Sequence, residues 1–188
     1  TRQALEEAAA AVARLPDGYE KAFLQITLGR MVNSLSQEQA ADRRELLLFE
    51  FRLYEQAAGI AEDLGSARLA SQAYGYLGEL YVEAGRHAEA ERLLRKAVFL
   101  AREAGADDIL YRWQWQTGRL QAAAGQTGAA IDTYREAVAT LQRVRPQVDV
   151  GLHRQRGSFR ETTGPLYYEL ADLLLRAPPA GSATPAEA

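Results

Sequence analysis

The stretch from Ser71 to Ala104 constrains this chain more than any other: SQAYGYLGELYVEAGRHAEAERLLRKAVFLAREA. Counted from Ser71 as the first position, Tyr74 stands at 4, Leu77 and Gly78 at 7 and 8, and Tyr81 at 11. Ala90 follows at 20, Leu94 at 24 and Ala97 at 27. The small residues Gly78 and Ala90 let two antiparallel helices approach closely. Tyr74, Leu77, Tyr81 and Leu94 then fill the seam and the contact with whatever stacks next. Gly85-Arg86-His87 interrupts the pattern, and Gly85 is free to take the left-handed conformation that ends a helix. Such a pair cannot bury its apolar residues alone. It needs neighbours of its own kind.

The rest of the chain supplies them. Forty residues on, Gly118, Ala130, Tyr134 and Ala137 answer to Gly78, Ala90, Leu94 and Ala97, with Gly125-Gln126-Thr127 as the turn. Gln114, Thr117 and Gln121 weaken the aromatic and apolar positions of this copy. Forty residues back, Tyr54, Ala57, Ala61 and Gly65 answer to Leu94, Ala97, Ala101 and Gly105, and Leu28-Gly29 takes the place of Leu77-Gly78. Gly29 to Ala57 spans 28 residues where Gly78 to Ala97 spans 19, so nine extra residues lie within NSLSQEQAADRRELL. That segment holds no glycine or proline, which predicts a lengthened second helix, capped by Ser36 with Gln39 and running to about Leu64.

This spacing resembles the tetratricopeptide repeat, a helix–turn–helix unit of about 34 residues. Only the last signature position departs, with Arg102 where proline is usual. The expected fold is all-α: a tetratricopeptide-repeat α-solenoid of about three helix pairs, with a preceding helix and a C-terminal capping helix. Residues 1–16 are expected to form the helix of a truncated preceding repeat or an N-cap, with Leu5, Ala8, Val12 and Leu15 on one face. Three repeats should follow at 17–65, 66–105 and 106–145. Asp17 with Glu20 is expected to cap the helix after Pro16, Asp107 to cap the one beginning at Asp108, and Pro146 to stop the last. Residues 146–176 should form a capping segment whose apolar helix, Leu166 to Leu175, presents Leu166, Tyr167, Leu170, Leu173 and Leu174. Residues 177–188, APPAGSATPAEA, read as a disordered linker.

The terminal segment carries a further resemblance. Arg156, Ser158-Phe159, Leu166-Tyr167, Leu170 and Leu173-Leu174-Leu175 are similar to the stretch that joins a tetratricopeptide array to a CHAT domain, a caspase-like peptidase, in bacterial proteins. The resemblance implies a sensor or regulatory region with a downstream CHAT-like domain as its neighbour. The catalytic His and Cys of that domain have no counterpart here, because the chain has no cysteine.

Chemistry is otherwise sparse. The two histidines, His87 and His153, lack ligand-spaced companions, and no metal or cofactor is expected. No phosphate-binding loop or serine-nucleophile signature occurs, so the chain reads as non-catalytic. A net charge of −3 predicts no general attraction to nucleic acid, although Arg143, Arg145, Arg154, Arg156 and Arg160 cluster locally. No apolar run approaches the ~20 residues of a membrane span, and the start lacks signal-peptide order; a cytoplasmic location and no membrane partner are expected. The absent initiator methionine suggests that the sequence was cut from something larger.

In tetratricopeptide arrays the first helices line a concave groove. The matching positions here are Phe23, Ile26, Arg30 and Asn33; Gln72, Tyr76, Glu79 and Glu83; and Arg112, Trp115, Gln116 and Arg119. Trp115 shares a helix face with Arg112 and Arg119, a surface suited to a peptide carrying carboxylates or an apolar anchor. Trp115 packed against the terminal helix, filling the groove from within, is equally compatible with the sequence. The function expected is a protein or peptide interaction scaffold. Alternatives are a fragment completing a peptidase site with another domain, or an RNA-binding helical repeat.

Overall fold

The computed structural model describes residues 2–38, 43–153 and 159–176. Eight helices lie among them: α1 (Arg2–Ala13), α2 (Tyr19–Glu38), α3 (Arg43–Asp63), α4 (Ala67–Glu83), α5 (His87–Glu103), α6 (Asp107–Ala123), α7 (Thr127–His153) and α8 (Phe159–Arg176). No strand occurs among the described residues. Helices pair as α2 with α3, α4 with α5 and α6 with α7, and each pair stacks on the next through α3 against α4 and α5 against α6. The first helices form an inner row, with α4 touching α2 on one side and α6 on the other.

The pairing follows from three glycines. A Cβ at Gly78 would stand 2.8 Å from Leu94 Cγ, and one at Gly118 2.7 Å from Tyr134 Cδ2. Gly29 meets the Tyr54 ring in the same way. So 29, 78 and 118 are equivalent, as are 54, 94 and 134, and the forty-residue register holds in space. Ala57, Ala61, Ala90, Ala97, Ala101, Ala130 and Ala137 are fully buried along these seams. Each of α3 to α6 ends on a glycine with positive φ, Gly85 at 72°, and the amide after it reaches back to a carbonyl five residues earlier, Arg86 N–H to Tyr81 at 2.8 Å.

Four local expectations fail. Ser36 does not cap the second helix of the first repeat: α2 runs through it to Glu38, and α3 begins only at Arg43. The extra residues are shared, α2 having 20 residues and α3 21 against 17 in each of α4, α5 and α6. An uninterrupted helix former extends whichever helix it adjoins, so composition alone does not place the break. Asp17 accepts from Lys21 at 2.9 Å, while the Gly18 carbonyl takes the first helical amide, that of Ala22. Asp107 lies inside the first turn of α6, where Arg143 of α7 binds it at 2.9 Å; Ala106 holds the N-cap. Pro146 does not stop α7, which crosses the expected boundary at 145 and reaches His153. One lost backbone hydrogen bond is tolerable where Leu141 and Val144 are already buried.

Both ends of the stack are covered. Leu5 and Val12 of α1 pack with Leu28, Val32, Leu46 and Leu53. Leu166 of α8 is fully buried with Tyr134, Leu141 and Val144, and Leu170 and Leu173 pack beside it. Tyr167 and Leu174, expected on the same face, are exposed, so the buried stripe of α8 is narrower than its apolar composition. The expected linker at 177–188 and the Gln39 cap lie outside the described residues.

Candidate functional site

The inner row brings α2, α4 and α6 side by side and builds one polar and aromatic cluster. Tyr76 of α4 lies at its centre. Its ring stacks on Tyr54 at 5.1 Å and meets Trp113 edge-on at 5.1 Å. Arg112 also lies over this ring, 4.7 Å from the Tyr76 centroid, and donates to the Tyr76 hydroxyl at 3.2 Å. The same guanidinium grips both carboxylate oxygens of Glu79, Nη2 at 3.1 and 3.0 Å, and Gln116 adds a donor to Glu79 at 2.8 Å. Arg30 of α2 approaches the Tyr76 ring at 5.9 Å.

A second cluster joins the inner row to α8. Glu169 accepts from Trp115 Nε1 at 2.7 Å, from Arg119 Nε at 2.9 Å and from the Tyr134 hydroxyl at 2.7 Å. Burial alone would raise the pKa of this carboxyl, but the bonds from Arg119, Trp115 and Tyr134 outweigh it and hold the group below its ordinary value. Arg119 also lies over the Trp115 ring, 4.3 Å from its centroid.

Between α2, α3 and α4 sits a buried acid, Glu50, 2% exposed. Burial pushes its pKa up to about 7, against the pull of Tyr54 and Asn33 beside it and with help from the charges of Glu83 and Glu79. A carboxyl in such a place is neutral over much of the acid range.

The twelve groove positions therefore divide. Tyr76, Glu79, Arg112 and Gln116 are brought together and satisfy one another. Trp115 and Arg119 are taken by α8, so of the two readings left open for Trp115 the packed one describes the molecule. Ile26 and Tyr76 are buried and belong to the core. Asn33 is half-buried beside Glu50, and Glu83 pairs with Arg43 of α3. Phe23 and Arg30 are exposed and Gln72 half-buried, leaving the open part of the inner row at α2 and α4.

Glu169, Tyr134, Glu50 and Tyr54 were not singled out from sequence as functional. Glu50 shares a face with Leu46, Leu53, Tyr54 and Ala57, and Glu169 with Leu166, Leu170 and Leu173; an acid within an apolar stripe was the available signal. His87 is exposed at the start of α5. Of the basic cluster only the side chain of Arg143 is among the described residues. No group of three or more His, Asp or Glu able to hold a metal occurs among the described residues. No described helix is long and apolar enough to cross a membrane.

Residues 69–143 match the tetratricopeptide repeat family. No curated protein matches the chain. Among solved structures it resembles BtubC (BKLC) from P. vanneervenii, with 21% identity, 90% of this chain and 68% of that chain covered, and a TM-score of 0.58. It also resembles the nearly identical TPR-like repeats of a kinesin-light-chain-like protein from Podosopora anserina, at 18% identity, 90% and 83% coverage and a TM-score of 0.54. At such identities the likeness concerns the fold, which is an all-α tetratricopeptide-type solenoid.

Proposed function

We propose that this chain is a non-catalytic scaffold of the cytoplasm that binds a protein or peptide partner along the open part of its inner row. Tetratricopeptide repeats mediate protein–protein interaction generally, and fold alone names no partner. The observation that carries the reading is the Tyr76–Arg112–Glu79–Gln116 cluster. Its side chains are already hydrogen-bonded to one another, so little rotamer freedom remains to be lost when a partner settles on the surface they support. Phe23, Arg30 and Gln72 border that surface and offer an apolar ring, a cation and an amide. The end formed by Trp115 and Arg119 is closed by Glu169, which confines the partner to α2 and α4.

We further propose that the chain is the sensor or regulatory region of a larger CHAT-type peptidase protein. The resemblance of the segment from Arg156 to Leu175 supports this, and reading the coding sequence beyond Ala188 tests it. The binding surface is tested by affinity capture from the source cells with the chain and with its Arg30→Glu/Gln72→Ala variant. Each captured protein is then purified and titrated against both. A partner whose affinity falls at least tenfold in the variant supports the inner row. Equal binding by both refutes it.

A further inference from the structure

The nine-residue insertion builds a surface that the other repeats lack. By the register of Tyr54 with Leu94, α5 begins at His87 whereas α3 begins at Arg43, one full turn earlier than its equivalent. That extra turn lies beside the C-terminal end of α4, where Arg43 pairs with Glu83. Between the two lies an open groove of about 700 Å³, with Leu47, Leu48, Phe51, Leu80 and Tyr81 along it. Phe51 and Tyr81 hold its floor with ring centroids 6.2 Å apart, while Leu48 is 51% exposed. Forty residues on, the positions of Leu47, Phe51, Tyr81 and Arg86 carry His87, Glu91, Gln121 and Gln126. The apolar groove is therefore particular to the first junction, and the extra turn is what completes it.

Its rim is basic. Arg43 and Arg44 come from the extra turn and Arg86 from the N-cap of α5, just after the turn that ends α4. Arg86 lies 4.6 Å from the Tyr81 centroid and is paired with Glu89; Arg43 is paired with Glu83. Arg44 has no ion pair among the described residues. Exposed pairs of this kind are worth little in water and exchange readily for a new carboxylate. An apolar floor framed by three guanidinium groups matches one kind of ligand: a short segment with a bulky apolar side chain flanked by Asp or Glu. A basic or purely apolar segment leaves Arg44 without a counter-charge and gives Arg43 and Arg86 nothing to exchange Glu83 and Glu89 for.

We propose that the groove between α3 and α4 is a second docking site, distinct from the inner row, for an acidic–apolar segment of a partner protein. The probe is a displayed library of random 12-residue peptides, selected on the whole chain and counter-selected on Leu48→Asp. Leu48 and Arg44 are exposed, so circular dichroism should show the fold intact in Leu48→Asp and Arg44→Glu. Enriched peptides should combine Leu, Phe or Trp with Asp or Glu. Their affinity should fall at least tenfold in Leu48→Asp and severalfold in Arg44→Glu, weaken with salt, and stay unchanged in Arg30→Glu. No enrichment over the counter-selected variant overturns the proposal, as does a basic or uncharged consensus. Self-association abolished by Leu48→Asp makes the occupant a second copy and overturns it equally. Peptides lost in Arg30→Glu but kept in Leu48→Asp belong to the inner row and leave this groove without its ligand, which also overturns it.

Discussion

Glu169 of α8 accepts the indole N–H of Trp115 of α6 at 2.7 Å. The contact joins the helix that ends the stack to the inner row, and Arg119 and Tyr134 converge on the same carboxylate. Leu166 supplies the apolar part of the joint and Glu169 the directional part. Together they cover the face that a fourth repeat would otherwise bury.

Glu169→Ala should therefore loosen α8 before it affects the rest. A charge-assisted hydrogen bond contributes about 1.5–3 kcal/mol, reduced here because Glu169 and Arg119 are partly exposed. The expected loss is about 1–2 kcal/mol, read as faster amide exchange at Leu170 and Leu173 with α4 and α5 unchanged. Uniform loss of protection across the stack would show that α8 is not a separate cap. Protonation should act in the same direction. With its folded pKa depressed, Glu169 stabilises the joint above the ordinary carboxylate value of about 4.3, and the contribution disappears as pH falls through the lower folded value.

Two glycine substitutions should have opposite signs. Gly78→Ala places a methyl group 2.8 Å from Leu94 Cγ, and overpacking of this kind costs about 1–3 kcal/mol. Gly59→Ala, in α3, meets nothing within 4 Å and gains the helix preference of alanine, about 0.5–1 kcal/mol. Thermal or urea unfolding of the two variants decides this. A Gly78→Ala protein as stable as the parent would contradict the pairing of α4 with α5 at this point.

The buried acid predicts a pH-dependent effect. Glu50 has a folded pKa of about 7 against about 4.3 in an unfolded chain, so its neutral form favours the fold. That contribution is complete below the unfolded value and is lost as pH rises through 7. Glu50→Gln mimics the neutral form, and at pH 8 it should stabilise the chain by about 3–4 kcal/mol. At pH 4 the two proteins should unfold alike. Equal stabilisation at both pH values would assign the effect to packing and not to ionisation.

The isolated chain should hydrolyse no peptide, ester or phosphate substrate, since no nucleophile–base pair was found in its sequence. Turnover that persists through stringent purification and tracks the protein peak would overturn the scaffold assignment.

Sequence alone determined the repeat register. Gly29, Gly78 and Gly118, with Tyr54, Leu94 and Tyr134, were legible because close helix approach admits only a hydrogen at one position and demands a large side chain opposite. The glycine turns at 85 and 125 were legible for a similar reason: a left-handed residue needs a particular amino acid wherever the chain goes next. Tertiary structure decided the division of the insertion between α2 and α3, because a run of good helix formers prefers neither helix until packing chooses. It also decided the continuation of α7 through Pro146, where buried neighbours outweigh a local penalty. The site was decided there most of all. Trp115 could face a partner or its own chain, and the choice fell to Glu169, 54 residues away in sequence and 2.7 Å away in space. Periodicity reports which face of a helix is apolar; it carries no information about which distant acid will come to rest against it.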